Sequence, residues 1–287
     1  MAIRGAAVAG SWYPGSAAAL AAAVDRLLAA ASAAPVPAWD ALTALIAPHA
    51  GLLYSGPVAA HAYRLLRERP VEVVVLVGPS HFVAFDGVAI VGGGGFDSPL
   101  GVAEIDEACA ADLMAATPVV REHPTAHARE HSLEMQLPFL RRVAPRAKIV
   151  PLLVGTQTAA TAQALGVALA AVLGDRRALL VASTDLSHYH DAATAGRLDA
   201  VVVDCVARFD ADGLQRALDV RPDHACGGGP TVAVMRAARR LGARDAVVLQ
   251  YADSGDVSGD KSAVVGYLAA ALGSRTGGAS SPDGAAS

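Results

Sequence analysis

Cysteine is scarce in this chain of 287 residues, and the three present, Cys109, Cys205 and Cys226, are widely spaced and form no CxxC pair. That pattern excludes a disulfide framework and a four-cysteine zinc ribbon, and it suits the reduced thiols of a cytoplasmic protein. Aromatic residues make up 5% and charged residues 17%, with a net charge of -4. No basic footprint is present, so nucleic acid is not expected as a partner. No apolar run approaches the roughly 20 residues that span a bilayer, so no membrane partner is expected either. The Ala-rich start does not read as a signal peptide, because Trp12-Tyr13-Pro14-Gly15 interrupts it and Asp25-Arg26 sit inside its later apolar stretch. HExxH, GxSxG and a Walker loop are all missing, which argues against a zincin protease, an α/β-hydrolase and a P-loop NTPase. Gly92 to Gly95 lacks the strand, GxGxxG and helix context of a dinucleotide site.

What the chain does contain is apolar: 53% of residues are hydrophobic, chiefly Ala, Val and Leu, enough to bury a substantial core. Ser16 is placed to cap a helix running to about Ala33, with Leu20, Val24, Leu27 and Leu28 on its apolar face and Pro35 and Pro37 ending it. A strand over Leu42–Ala47, a helix over about 56–69 and a strand over Val71–Val77 predict a parallel pair joined by a right-handed crossover. Further strands are expected at 87–91, 148–154, 178–182, 246–251 and 262–268. Helices are expected at 105–116, 157–173, within 193–218 and at 231–241, and another is expected to open near Glu130 and be kinked or restarted by Pro138. Trp12 and Tyr13 have the look of exposed aromatics in a turn. The expected fold is α/β, a single-domain sandwich around a mostly parallel or mixed central sheet. The domain spans residues 1–272, and the Gly/Ser/Ala tail 273–287 is expected to be disordered.

Three of these strands end in a histidine on a polar or Gly/Pro-rich turn: Pro48-His49-Ala50-Gly51, Gly78-Pro79-Ser80-His81 and Ser183-Thr184-Asp185-Leu186-Ser187-His188. Ligand crevices of open α/β sheets lie beyond the carboxyl ends of strands, so the three rings could converge. Neutral imidazole is the commonest protein metal ligand. Cys226, among glycines just before a helix start, could add a thiolate. Asp185 and His188 could form a carboxylate–imidazole pair that moves protons. Glu130 and His131 could support the ligands from behind. Each residue also has a plain structural reading: loop hydrogen bonds for the histidines, a small buried side chain for Cys226, and a turn for Asp185. His61, His123, His127, His190 and His224 take that plain reading first, as do Cys109 and Cys205.

Taken in order, Gly10-Ser11-Trp12-Tyr13, Ala47-Pro48-His49-Ala50-Gly51, Gly78-Pro79-Ser80-His81, Glu130-His131-Ser132-Leu133-Glu134, the segment Ser183 to His188 and Cys226-Gly227 resemble the Memo family over about residues 4–271. Its bacterial members include the Memo-like component, protein B, of the AmmeMemoRadiSam system. The family is similar in fold to class III extradiol dioxygenases of the LigB type. The resemblance implies His49, His81 and Cys226 as metal ligands and Asp185 and His188 as the neighbouring polar pair. It also implies iron (Fe2+) or copper as the cofactor, with zinc the lesser choice. A cysteine stands where the dioxygenases have a carboxylate, so catechol ring cleavage is not carried over. The expected function is a metal-dependent, oxygenase-like redox enzyme acting on a small molecule or peptide, with the other components of that system as possible partners. The alternatives are a non-catalytic scaffold that binds peptides or phosphopeptides in the same pocket, and a zinc-dependent hydrolase.

Overall fold

The computed structural model describes residues 2–35, 38–67 and 69–275. Its strands are β1 (Ile3–Arg4), β2 (Trp39–Ala47), β3 (Val73–Pro79), β4 (Val88–Ile90), β5 (Gly95–Phe96), β6 (Ala103–Glu104), β7 (Val120–Glu122), β8 (Lys148–Val154), β9 (Ala178–Ser183), β10 (His188–His190), β11 (Asp245–Asp253) and β12 (Val264–Arg275). The main sheet runs β10-β12-β2-β9-β3-β8-β4-β7, and β11 also pairs with β12. β2, β9, β3 and β8 form a parallel centre, while β12, β11 and β4 join antiparallel to their neighbours. A separate small sheet is ordered β1-β5-β6.

The parallel centre is built on strands that are mostly apolar and buried. Every residue of β3 is buried, as are all but the first of β8 and β9, the pattern of strands covered on both faces. Helices 159–173 and 228–240 pack together, and the latter lies along β9, β3 and β2; helix Leu52–Tyr63 lies on β12, β11 and β2. Side-chain caps begin several helices: Ser16 Oγ accepts from Ala19 N at 3.4 Å, and Asp106 Oδ1 from Cys109 N at 2.9 Å. Pro138 sits in the first turn of helix Leu137–Val143, so it starts a helix and does not kink one.

Four expectations need correction. β2 and β3 do not pair with each other. β9, buried at every residue after Ala178, enters between them with Leu180 opposite both Ala44 and Val75, and a strand buried on both faces belongs inside the sheet. The helix expected at 56–69 begins at Leu52, right after Gly51, and ends at Tyr63. Tyr13 is buried, whereas Trp12 is partly exposed as expected. Finally, the ordered chain does not stop at 272. Gly273 to Arg275 continue β12 against Leu42, Ala41 and Trp39, and a Cβ at Gly273 would sit 2.1 Å from the Ala41 carbonyl. These residues carry no apolar signal, and backbone pairing alone places them. The expectation for 276–287 lies outside the described residues.

Candidate metal centre

β2, β3 and β9 lie side by side in parallel, so their carboxyl ends open on one edge, and the turns after them carry His49, His81 and Asp185 to that edge. Cys226 joins them at the start of helix Gly228–Arg240. Cys226 N donates to the Asp185 carbonyl at 3.2 Å, and Asp185 N donates back to Sγ at 3.3 Å. This exchange locks the cysteine turn to the end of β9. Gly227 is required there, since a Cβ would fall 2.4 Å from the Ser183 carbonyl.

His49, His81 and Cys226 each offer one ligand atom, and these atoms all lie within 4.8 Å of one another. Metal bonds of about 2.0–2.3 Å place the ligands of one ion up to about 4.6 Å apart, so the set is close to the spacing that a single transition-metal ion needs. The closest pair is Cys226 Sγ and His49 Nε2, at 3.2 Å. The residues are spread over 177 positions of the chain, and their meeting is a tertiary fact.

The hydrogen bonds behind the rings orient them. Ser183 Oγ lies 2.6 Å from the Ser132 carbonyl, which can only accept, so the hydroxyl proton sits between them. The same Oγ accepts from Gln136 Nε2 at 2.7 Å, and Gln136 is oriented by Tyr63 Oη donating to its Oε1. The remaining contact of Ser183 Oγ, His49 Nδ1 at 2.9 Å, must therefore come from an Nδ1–H. That tautomer leaves Nε2 bare, facing the sulfur. His81 reaches the same state by another route: its Nδ1 lies 2.9 Å from Glu130 Oε1. Burial alone would raise the Glu130 pKa, but hydrogen bonds from the His81 ring, the His81 N–H and Ser132 N–H bring it down to about 2. An ionised carboxylate only accepts, so His81 also carries its proton on Nδ1 and offers Nε2.

Electrostatics favour neutral rings. Burial, then the charges of His81 and His131, push the His49 pKa well below its usual value. Burial brings His131 down to about 4, despite the nearby Glu130. The Cys226 thiol is pushed far up by burial and then by the Asp185 carboxylate, while burial raises Asp185 itself to about 7. A cation at the site is the compensating charge that a thiolate would need there.

Glu130, His81 and His131 form a second close group, but Glu130 Oε1 already accepts from His81 Nδ1, His131 N and Ser132 N. It is a node that orients His81 and braces the loop. His131 stacks on His81 with ring centroids 4.6 Å apart and is covered by Trp12 at 4.3 Å.

The expected pairing of Asp185 with His188 is not formed. Asp185 Oδ1 accepts from His49 N at 2.7 Å and Ala50 N at 3.3 Å, and Oδ2 lies 4.0 Å from His49 Nε2. Asp185 therefore ties the first histidine turn to the third, and no hydrogen bond or ion pair joins it to His188. Three residues of spacing suggested a pair, but β10 starts at His188 and bends away to pair with Val265. The carboxylate whose charge acts on His188 is Asp199, fully buried, which accepts from Ser187 N at 2.9 Å and Tyr251 Oη at 2.8 Å. Sequence reasoning missed Asp199, Ser183 and Gln136. Asp199 lies within a helix, where nothing local marks it, whereas Ser183 stands one residue past the apolar run of β9. His127 and His224 follow their plain readings, contacting the carbonyls of Ala89 and Leu198.

The chain is thus an α/β protein in which two imidazoles at the ends of parallel strands and one thiol before a helix form a group that could hold a metal ion. The family described as Memo-like protein matches residues 4–271, and this chain belongs to it. A MEMO1 family protein of Methanopyrus kandleri is 40% identical over 232 residues, covering 79% of this chain and 82% of its own. A MEMO1 family protein of Methanothermobacter thermautotrophicus is 36% identical over 272 residues, covering 92% and 98%. Among solved structures, an uncharacterized protein, JW3007, from Escherichia coli K12 superposes with a TM-score of 0.52 at 17% identity, covering 79% of this chain and 99% of that one. That likeness speaks for the fold alone. No helix among the described residues is long and apolar enough to cross a membrane.

Proposed function

We propose that this chain holds one iron or copper ion between His49 Nε2, His81 Nε2 and Cys226 Sγ and performs redox chemistry on a small molecule or peptide. The observation that carries this reading is the convergence of the three ligand atoms, with both imidazoles already turned to present Nε2. Imidazole suits iron, copper and zinc alike, and a thiolate favours the softer states. Bound there, iron or copper would supply a one-electron redox couple. The residues supply the rest. Ser183 and Glu130 hold the two imidazoles, and Asp185 holds the His49 backbone. His81 is the most exposed of the three ligands, so substrate enters past it. Burial lowers the His188 pKa, which keeps its ring neutral near pH 7 and able to take a proton from substrate.

Metal analysis of protein purified without oxygen tests this. Iron or copper near one equivalent is expected in the wild type, falling by at least tenfold in His49→Ala and Cys226→Ser with circular dichroism unchanged. Wild-type occupancy in both variants would overturn the ligand assignment. Zinc alone, with hydrolytic turnover, would replace the redox reading. Inert metal with tight peptide binding would replace it with a scaffold. His188→Ala is expected to keep its metal and lose turnover.

A further inference from the structure

A groove of about 600 Å3 lies one aromatic ring away from the metal-ligating set, between the helix Ala17–Ala31, the turn 10–14 and the start of the helix at Leu52. The first helix buries Leu20, Val24 and Leu28 in the core. It presents a second strip, Ala23, Arg26, Leu27 and Ala30, to the groove, at the three- and four-residue spacing of one helix face. Leu53, 68% exposed, and Trp12, 38% exposed, complete an apolar lining that water covers at a cost of about 25 cal/mol per Å2. The volume falls within the roughly 300–1,000 Å3 of small-molecule sites.

Charge defines what would fit. Among the described residues no acidic side chain lines the groove, and Arg26 is the one charged residue of its lining. Arg26 makes no hydrogen bond or ion pair with any described residue. Its neighbour Asp25 does not neutralise it, because both Asp25 oxygens are taken by Arg142, at 2.8 and 2.7 Å. An apolar trough with a single guanidinium that no described carboxylate pairs with matches a molecule with an apolar body and one negative charge. One guanidinium balances a carboxylate, not a phosphate dianion.

We propose that this groove binds an amphipathic organic carboxylate, its apolar body on Leu27, Ala30, Leu52 and Leu53 and its carboxylate on Arg26. Trp12 forms the wall shared with the metal centre, since its indole lies 4.3 Å from His131. This site does not depend on the metal reading.

The test is a fluorescence titration of the purified full-length protein with decanoate, decanol and decylammonium, each below its micelle concentration. Trp39 is buried, so a saturable change lost in Trp12→Phe reports the groove. Decanoate is expected to bind at least tenfold more tightly than either analogue. Arg26→Glu should remove that preference, and Leu53→Glu should weaken decanoate and decanol together. Both positions are exposed, so both variants should fold, as circular dichroism would verify. Equal binding of decanoate and decanol, undiminished binding in Arg26→Glu, or no binding at all would overturn the proposal. So would a wild-type dimer that Leu53→Glu converts to monomer, since the groove would then be an interface between copies. Metal content should be the same in Arg26→Glu and Leu53→Glu, which separates failure here from failure of the metal centre.

Discussion

His49 Nδ1 and Ser183 Oγ share a 2.9 Å hydrogen bond, and its direction is dictated by a carbonyl two bonds away, that of Ser132. Because the hydroxyl proton is committed there, the imidazole has to donate, and its other nitrogen is left as a lone pair aimed at Cys226. The protonation of His49 is thus set by a serine and a carbonyl outside the proposed ligand set.

Removing that hydroxyl gives the first prediction. In Ser183→Ala the His49 ring is free to change tautomer and Gln136 loses an acceptor, while the ligand set is untouched. Metal affinity measured by chelator competition should fall about 10- to 100-fold, the usual cost of losing such support. Unchanged affinity would show that Ser183 does not govern the ring.

Glu130→Gln probes the second histidine. The carboxylate accepts four N–H groups from His81, His131 and Ser132, and an amide would turn one acceptor into a donor facing them. Urea unfolding should show a loss of about 3 kcal/mol, with metal affinity falling alongside. A variant as stable as the wild type would mean that the loop is held by other contacts.

Glu134→Gln addresses the N-terminal segment. Glu134 is fully buried and is bound by Arg4, by Ala7 N at 2.7 Å, Val8 N at 3.0 Å and Tyr13 Oη at 2.6 Å. Breaking that buried pair should cost about 3–5 kcal/mol and shift Trp12 emission toward that of a solvated indole. Emission identical to wild type would show that the turn 10–14 is positioned without Glu134.

Acid sensitivity should come partly from His127. Burial lowers its pKa to about 4, opposed only in part by its bond to the Ala89 carbonyl, whereas the unfolded chain has the ordinary value near 6.5. The unfolded state therefore binds the proton more readily. The contribution is fully present above pH 6.5 and is lost as pH falls toward 4. Between pH 7.5 and pH 5 the loss is about 2 kcal/mol. Unfolding free energies from urea titration at the two pH values should differ less in His127→Gln by about that amount, and equal differences would place the acid sensitivity elsewhere.

Gly266→Ala tests the buried carboxylate near His188. A Cβ there would lie 1.9 Å from Asp199 Oδ2, so the helix or β12 has to shift, at about 1–3 kcal/mol. Thermal unfolding should register it, and an unchanged midpoint would mean that Asp199 has another place to go.

Much of this was legible in the residues themselves. The runs ending at Ala47, Val77 and Ala182 are strands because they are short and mostly apolar, and the polar or Gly/Pro turns after them lie at the sheet edge. His49 and His81 were thereby marked before any coordinates, and Cys226 was marked by the glycines before its helix. Capping at Ser16 is equally local, since the side chain and the N–H it satisfies are three residues apart.

The tertiary structure alone decided the rest. The order of strands depends on which apolar run packs best between which neighbours, so β9 could separate β2 from β3 without any local signal. Asp185 turned toward His49 and away from His188 because hydrogen-bond donors 136 residues earlier in the chain were nearer than the ring three residues on. The sequence by itself determined which side chains stand at strand ends, since hydrophobic pattern and turn chemistry are short-range. Which proton sits on which nitrogen was settled by Ser132, Ser183 and Glu130, brought together only by folding, because a hydrogen bond is made with whatever group is close in space.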